Sequence, residues 1–377
     1  TGALQTYRES LSIRQDLASQ DTTNDGRLQN LSVSLDRVGD VLCAQGDTTG
    51  ALQTYRESLS IRQDLASQDT TNTERQRNLS VSLERVGDVL RAQGDTTGAL
   101  QTYRKSLSIR QRLASQDPTN TEWQRNLSIN HITMGDVLLA HGDLTRALEA
   151  YQESFDICQR LASQDPTNGD WQRDLSVSQE RIGDLSLAHG DATEALQAYQ
   201  DAQGITERLA LQDPTNVRWQ RDLSVNHNKV GDILLAQGDA TGASQVYRES
   251  LNIRQRLASQ DPTNADWQRD LSFSQERVGD LLLAIGDATG ALQAYQESFT
   301  VRERLASQDP TNADWQKDLV VSYYKQASIY HENGDVVSEN EWNGKCHKTL
   351  RRMRDLGMHL DPPIAQLLAQ LDQVFGR

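Results

Sequence analysis

The sequence predicts an all-α solenoid of antiparallel helix pairs, and three observations support this fold class. A segment that opens with TGALQTYRESLSIRQDLASQD begins at Thr1 and again at Thr49, and related segments begin at Thr97, Thr145, Thr193, Thr241 and Thr289. This fixed period of 48 residues is typical of a repeat array, in which each unit buries its apolar face against its neighbours. Within each unit apolar residues recur at helical spacing, and Gly, Asp and Pro residues separate the helices.

The first helix of each unit is represented by WQRDLSFSQERVGDLLLA, residues 267–284. Its apolar residues share one helical face, namely Trp267, Leu271, Val278 and Leu282. DPTN precedes it, where Pro262 cannot lie in a helix interior and Thr263 with Asp266 matches a capping box. A helix of about 20 residues is roughly 30 Å long.

The second helix is represented by ATGALQAYQESFTVRERLASQ, residues 288–308, whose apolar residues also recur at helical spacing. Asp287 is the predicted N-cap, and Gly286 suits the left-handed residue that ends the preceding helix. Gly-Asp at this position therefore predicts a tight joint between the two helices of a unit.

Two residue columns indicate where the helices of a pair approach closely. One column consists of glycines inside the first helices, with an alanine last: Gly39, Gly87, Gly135, Gly183, Gly231, Gly279 and Ala327. A helical Gly costs about 1 kcal/mol relative to Ala, so its repetition requires a packing reason. Tyrosines of the second helices form the other column and are predicted to fill the seam: Tyr7, Tyr55, Tyr103, Tyr151, Tyr199, Tyr247 and Tyr295.

The stretch GDVLLAHGDLTRALEAYQES, residues 135–154, resembles the tetratricopeptide repeat, and the resemblance covers about residues 1 to 335. The family's usual repeat has about 34 residues, so both helices are lengthened here, as in kinesin light chain repeats and many bacterial multi-repeat regulatory proteins. The resemblance implies a right-handed superhelix whose concave wall is formed by the first helices. It also implies binding rather than catalysis.

The predicted organisation is tandem repeats over residues 1–336 and a degenerate final helix with a C-terminal cap over 337–377. Leu350 and Met353 indicate a last second helix, and Pro362 begins the amphipathic capping helix. Thr1 begins within a repeat without Met or a cap, which favours a fragment of a longer chain. We also expect eight helix-pair layers, the earliest incomplete, with Trp171, Trp219 and Trp267 buried in the seams between helices.

Composition narrows the class of function. The 53 acidic and 38 basic residues give a formal charge of −15, which disfavours nucleic acid and favours a basic partner. No stretch approaches the roughly 20 apolar residues of a membrane span. The basic cluster near the C-terminus is read as the solvated face of the cap rather than a nucleic-acid patch: Lys345, Lys348, Arg351, Arg352 and Arg354.

The sequence lacks the motifs of an active site or cofactor site. It has no phosphate-binding Gly-rich loop, HExxH motif or nucleophile elbow, and His141 and His189 are expected to lie too far apart to share a metal. Three cysteines without CxxC spacing favour a reducing cytoplasm over a disulfide framework. We therefore expect a cytoplasmic protein that is not an enzyme and binds no cofactor, metal, nucleic acid or membrane.

An acidic column on the first helices suggests a ligand surface. It consists of Asp40, Asp88, Asp136, Asp184, Asp232 and Asp280. One interpretation is that a Lys- or Arg-bearing peptide binds it, and the other is that an Arg three residues earlier pairs with each Asp on the same helix. At Asp136 and Asp232, Thr133 and Lys229 replace that Arg, so Asp136 is expected to lack this partner.

The repeats also differ at three adjacent positions, which read LDR, LER, HIT, QER, HNK, QER and YYK from residue 35 onward. Selection for ligand contact would produce this variation, and so would drift at solvated positions. The predicted partner-binding groove on the concave face is lined by His131, Thr133, Asp136, Arg181, Asp184, His227, Lys229, Asp232, Arg277 and Asp280.

Two functions fit these features. The first is a protein-protein interaction scaffold, or the regulatory or sensor arm of a larger bacterial protein, that binds a protein or peptide on the concave face. The alternative is a structural repeat protein that assembles into an oligomer or filament through its uncapped N-terminal helix. The C-terminal cap favours the first, because head-to-tail stacking requires two open ends.

Overall fold

The computed structural model describes residues 2–376, except for the side chain of Ala3; Thr1, where the first repeat was predicted to begin, lies outside this range. The described residues form sixteen α-helices and no β-strand, which confirms the all-α class. The helices are α1 (Gly2–Gln20), α2 (Asp25–Ala44), α3 (Thr48–Gln68), α4 (Thr73–Ala92), α5 (Thr96–Gln116), α6 (Thr121–Ala140), α7 (Leu144–Gln164), α8 (Gly169–Ala188), α9 (Ala192–Gln212), α10 (Val217–Ala236), α11 (Ala240–Gln260), α12 (Ala265–Ala284), α13 (Ala288–Gln308), α14 (Ala313–Glu332), α15 (Val336–Asp355) and α16 (Pro362–Phe375).

The chain divides into two compact units, Thr1–Gly190 and Asp191–Arg377. In each unit, helices adjacent in sequence pack against each other. Even-numbered helices from α2 to α14 correspond to the predicted first helices, and odd-numbered helices to the second helices. The order of elements therefore follows the 48-residue period of the sequence.

The joint between a first and a second helix forms as predicted. Gly286 has a φ of +85°, in the left-handed region that favours glycine. Asp287 caps α13, and its carboxylate accepts a hydrogen bond from the backbone N–H of Gly290 at 2.8 Å. The Gly-Asp pair thus ends one helix and begins the next.

The joint before each first helix differs from the predicted capping box. Asn264, not Thr263, is the N-cap of α12, and its side chain accepts the backbone N–H of Trp267 at 3.1 Å. Asp261 instead accepts the backbone N–H of Thr263 at 2.9 Å and its hydroxyl at 2.6 Å. The capping box with Asp266 is therefore wrong, because Thr263 is held in the turn that precedes the helix.

The glycine column has the packing reason that the sequence suggested. A Cβ added to Gly87 would lie 2.7 Å from Cε1 of Tyr103, whose side chain is completely buried. The last repeat replaces the column's Gly with Ala327, and at the same point Asn343 occupies the position 48 residues after Tyr295. Once the tyrosine ring is absent, the extra methyl group fits.

The tryptophans are less buried than predicted. Trp171, Trp219 and Trp267 are each half-buried rather than enclosed in the seams. Trp171 contacts a small apolar cluster that includes Leu127 and Leu161. The tryptophans lie in the first turn of their helices, beside the DPTN turn, so one side of each ring remains open to solvent.

The C-terminal helices share an apolar core with α13 and α14. Leu350 and Met353 of α15 are buried, as are Leu368 and Leu371 of α16, which packs against α15. The five residues of the basic cluster are exposed on α15. None of the described helices is both long and apolar enough to cross a membrane.

Candidate partner-binding site

The aspartates of the first helices are held by two neighbours each. Asp136 on α6 accepts a hydrogen bond from the hydroxyl of Tyr151 on α7 at 2.8 Å. The guanidinium of Arg181 on α8, in the next repeat, lies with its Nε 2.9 Å from the same carboxylate oxygen. Asp136 therefore connects the second helix of its own repeat to the first helix of the following one.

The same arrangement recurs in the second unit. Asp232 accepts the Tyr247 hydroxyl at 2.7 Å, and Nε of Arg277 lies 2.7 Å from its carboxylate. We call this arrangement the Asp-Tyr-cation clamp. Asp40 with Tyr55 and Arg85, and Asp280 with Tyr295 and Lys325, show the same arrangement.

The cation of each clamp comes from the next repeat, 45 residues after the aspartate. Contacts within one helix also exist, but they are longer: Arg181 lies 3.2 Å from Asp184, and Arg277 lies 3.6 Å from Asp280. Asp136 has no cation three residues earlier on its own helix, as expected from Thr133, but Arg181 of the next repeat supplies one. Sequence reasoning compared positions within one helix and missed the pairing between repeats, which the 45-residue spacing of the two columns would have revealed.

Burial and charge act in opposite directions on the aspartate of the second-unit clamp. Burial raises the pKa of Asp232, while Arg277 opposes that change. Burial lowers the pKa of Arg277, but Asp232 and two other carboxylates outweigh it and the net pKa is raised. Burial and the neighbouring aspartate raise the pKa of Tyr247, so its hydroxyl remains a donor near neutral pH.

The two histidines of the predicted groove are buried rather than displayed. His131 is 6% exposed and His227 is 3% exposed. Burial lowers the pKa of both imidazoles, against the opposing charge of Glu153 near His131 and of Glu249 near His227. Nδ1 of His227 lies 3.5 Å from the Glu249 carboxylate. These side chains thus lie in the interior of their repeats, mainly in the neutral form.

The remaining predicted groove residues are partly exposed. Thr133 donates its hydroxyl to the backbone carbonyl of Ile129 at 3.1 Å, on its own helix. Lys229 lies with Nζ 5.0 Å from the centroid of the Tyr199 ring. The structure therefore brings Asp136, Arg181 and Asp184 together in the first unit, and Asp232, Arg277 and Asp280 together in the second.

A second, deeper set of ion pairs lies beneath the clamps. In the first unit Arg62 on α3 donates to Asp36 on α2 at 2.6 Å, and the two residues are 8% and 6% exposed. Similar pairs join Arg110 to Glu84 and Arg302 to Glu276. The sequence analysis did not find these pairs, although an arginine column and an acidic column recur at the repeat period.

One repeat replaces this deep pair with uncharged residues. Ile132 occupies the position of Asp36, and Cys158 occupies that of Arg62. Cys158 is 1% exposed and lies near the hydroxyls of Ser128, Ser154 and Ser178. Both the acid and the base are absent from this repeat, whereas the next two repeats lack only one of them, with Glu180 opposite Thr206 and Asn228 opposite Arg254.

The described residues contain no cluster of three or more side chains suited to a metal ion. Cys43 is exposed and Cys158 and Cys346 are buried, each as a free thiol. What the candidate site offers is hydrogen bonding and charge pairing along a row of carboxylates.

Comparisons with known proteins agree with this architecture. Residues 80–119 match the family model described as tetratricopeptide repeat. The matched pattern recurs at the 48-residue period, so the chain is similar to tetratricopeptide repeat proteins along its repeats. No curated protein sequence matches the chain.

Solved structures share the fold at low sequence identity. The apo form of RapI has a TM-score of 0.62 at 15% identity, covering 94% of this chain and 82% of RapI. A Rap protein complexed with Competence and Sporulation Factor has a TM-score of 0.54 at 13% identity, covering 94% of this chain and 86% of the other. BtubC (BKLC) from P. vanneervenii has a TM-score of 0.52 at 18% identity, covering 70% of this chain and 93% of BtubC. At these identities the likeness shows a common fold.

Proposed function

We propose that the protein is a non-catalytic interaction scaffold that binds a protein or peptide on the face formed by its first helices. The observation that carries this proposal is that near-copied repeats differ beside the clamps, where Thr133, Lys229 and Lys325 replace arginine. The Asp and Tyr of the clamps meanwhile recur. A surface in which the same Asp and Tyr recur in each repeat while the neighbouring side chains differ is suited to recognising one extended partner.

The tetratricopeptide repeat class supports this proposal, since its first helices would form a concave wall. A neighbour of the same fold, the Rap protein, is complexed with Competence and Sporulation Factor. The proposed contact surface comprises the partly exposed residues of the predicted groove: Thr133, Asp136, Arg181, Asp184, Lys229, Asp232, Arg277 and Asp280. His131 and His227 are buried and would support this surface from behind.

The setting proposed for this scaffold is the regulatory or sensor arm of a larger bacterial protein. Three free thiols support a reducing cytoplasm. The partner is proposed to carry Lys or Arg, because the row of carboxylates and the net charge of −15 favour a basic ligand.

The test is selection of a randomised peptide display library on the immobilised chain, followed by amide hydrogen exchange with the enriched peptides. We expect binders that slow exchange in first helices such as α6 and α10, because a ligand shields the amides it covers. Failure to enrich any binder, or protection confined to the second helices, would contradict the proposal.

Self-assembly is a second candidate, favoured by the apolar face of α1. Tyr7 and Leu17 are 38% and 42% exposed, whereas Tyr55 and Leu65 at the same positions of the identical α3 segment are each 5% exposed. Light scattering over a range of concentrations distinguishes the two candidates. A constant mass near 42.2 kDa agrees with the scaffold, and a mass that rises with concentration agrees with self-assembly.

A further inference from the structure

We propose that Asp88, on α4, is the docking point for a Lys or Arg side chain of the partner. The inference rests on the proposed function and deepens it by placing the basic residue of the ligand. Asp88 accepts the Tyr103 hydroxyl at 2.6 Å, as the other clamp aspartates do with their tyrosines. Among the described residues no side chain forms an ion pair with it, so its clamp lacks the cation.

The reason for the missing cation is a single residue. The cation of every complete clamp lies 45 residues after the aspartate, and for Asp88 that position is Thr133. Thr133 carries no charge, and its hydroxyl donates to the backbone of Ile129. Asp88 is accordingly exposed, whereas Asp40 and Asp136 are half-buried beneath their arginines.

The surroundings of the gap are more apolar than those of a complete clamp. Ile132 replaces the acid found at this position in the neighbouring repeats. Ile129, one helical turn before Thr133, is 44% exposed and corresponds to a valine or phenylalanine in the other repeats. A ligand that fills the gap would thus place a cation on Asp88 and an apolar side chain against this turn of α6. The occupant is therefore a peptide or protein segment in which Lys or Arg adjoins an aliphatic or aromatic residue.

The chain itself shows which groups fit the gap. Arg85 and Arg181 complete the clamps of Asp40 and Asp136 within the same unit. A partner's guanidinium at Asp88 would reproduce the contact that the protein makes internally. Thr133→Arg should fill the gap from within and exclude the ligand.

The experiment uses peptides enriched from the display library on the full chain, with affinities measured by fluorescence anisotropy. We expect Lys or Arg beside an apolar residue in the enriched peptides. Thr133→Arg and Asp88→Asn should each weaken binding by about fivefold or more, and rising salt should weaken binding to the unmodified chain. Gln101→Arg, which adds the same charge on the exposed side of α5, should bind within about twofold of the unmodified chain.

Thermal melting separates loss of binding from loss of fold. Thr133→Arg should melt no lower than the unmodified chain, because it supplies the cation that other repeats contain. Peptides without a basic residue, or equal affinity for Thr133→Arg, would overturn the inference. If such peptides still protect first helices, the proposed function survives; if no peptide is enriched, both fail.

Discussion

Two repeats of the first unit carry chemically different residues at the same pair of buried positions. In one, Asp36 and Arg62 form a buried ion pair between α2 and α3. In another, Ile132 and Cys158 occupy the same two positions and carry no charge. The next two repeats combine one charged and one uncharged residue at these positions, Glu180 with Thr206 and Asn228 with Arg254. The effect of changing one position therefore depends on the residues that surround it in that repeat.

The physical basis of this dependence is the cost of an unpaired buried charge. Breaking a buried ion pair by removing one partner costs about 3 to 5 kcal/mol, whereas replacing both partners with apolar residues is often neutral. Arg62 also donates to the hydroxyls of Ser32 and Ser82, so its environment is built for a guanidinium. The last repeat shows a steric dependence between two positions, since Ala327 and Asn343 replace Gly and Tyr together.

The largest predicted effect follows from breaking one ion pair. Arg62→Cys leaves the buried Asp36 with only Arg85, at 4.0 Å, and should lower the free energy of unfolding by about 3 to 5 kcal/mol in urea titrations. The double variant Asp36→Ile with Arg62→Cys copies the other repeat and should recover most of that loss. A double variant as unstable as the single one would show that the two positions are independent.

The next effect concerns the seam between helices. Gly87→Ala adds a methyl group that would lie 2.7 Å from the Tyr103 ring and should destabilise the chain by about 1 to 3 kcal/mol. Its control is Ala327→Gly in the repeat without the tyrosine, which should cost only about 1 kcal/mol through helix propensity. Calorimetric melting of both variants measures the difference, and an unchanged melt for Gly87→Ala would refute close packing at the seam.

The fold was predictable because its determinants lie within single helices or recur at a fixed period. Helical spacing, the Gly-Asp joint and the opposition of Gly87 to Tyr103 all follow from local rules of this kind. The ion pairs were not found, because Arg181 and Asp136 belong to different repeats and their contact depends on how layers stack. The burial of Trp171 was overestimated for a related reason. A tryptophan in a helix pattern indicates packing, but Trp171 lies in the first turn of α8, where its ring is only half-buried.

A third prediction compares a complete clamp with the incomplete one. Tyr151→Phe removes the hydroxyl that Asp136 accepts and should cost about 1 to 2 kcal/mol, because the carboxylate is half-buried. Tyr103→Phe should cost less, since water can replace the hydroxyl at the exposed Asp88. Urea titration of the two variants provides the comparison, and a larger loss for Tyr103→Phe would contradict the difference in exposure.

The smallest effect at neutral pH concerns the buried histidines, and it grows as the pH falls. Burial lowers the folded-state pKa of His131 and His227, while the unfolded pKa is about 6.5. Above pH 6.5 the two histidines are neutral in both the folded and the unfolded chain, so they do not make stability depend on pH. Below pH 6.5 the unfolded chain binds protons first, so the free energy of unfolding falls with pH until the folded-state pKa is reached. The slope is at most about 1.4 kcal/mol per pH unit for each histidine.

The matched control for this pH dependence comes from the chain itself, in which Leu35 and Leu83 occupy the equivalent position and are 2% and 3% exposed. His131→Leu with His227→Leu should flatten the profile between pH 6.5 and the onset of carboxylate titration, as followed by urea titration at a series of pH values. Glu153 opposes the shift at His131 and Glu249 opposes it at His227, so each single replacement should remove part of the slope. If the double replacement leaves the pH profile unchanged, both imidazoles are protonated in the folded chain without a loss of stability.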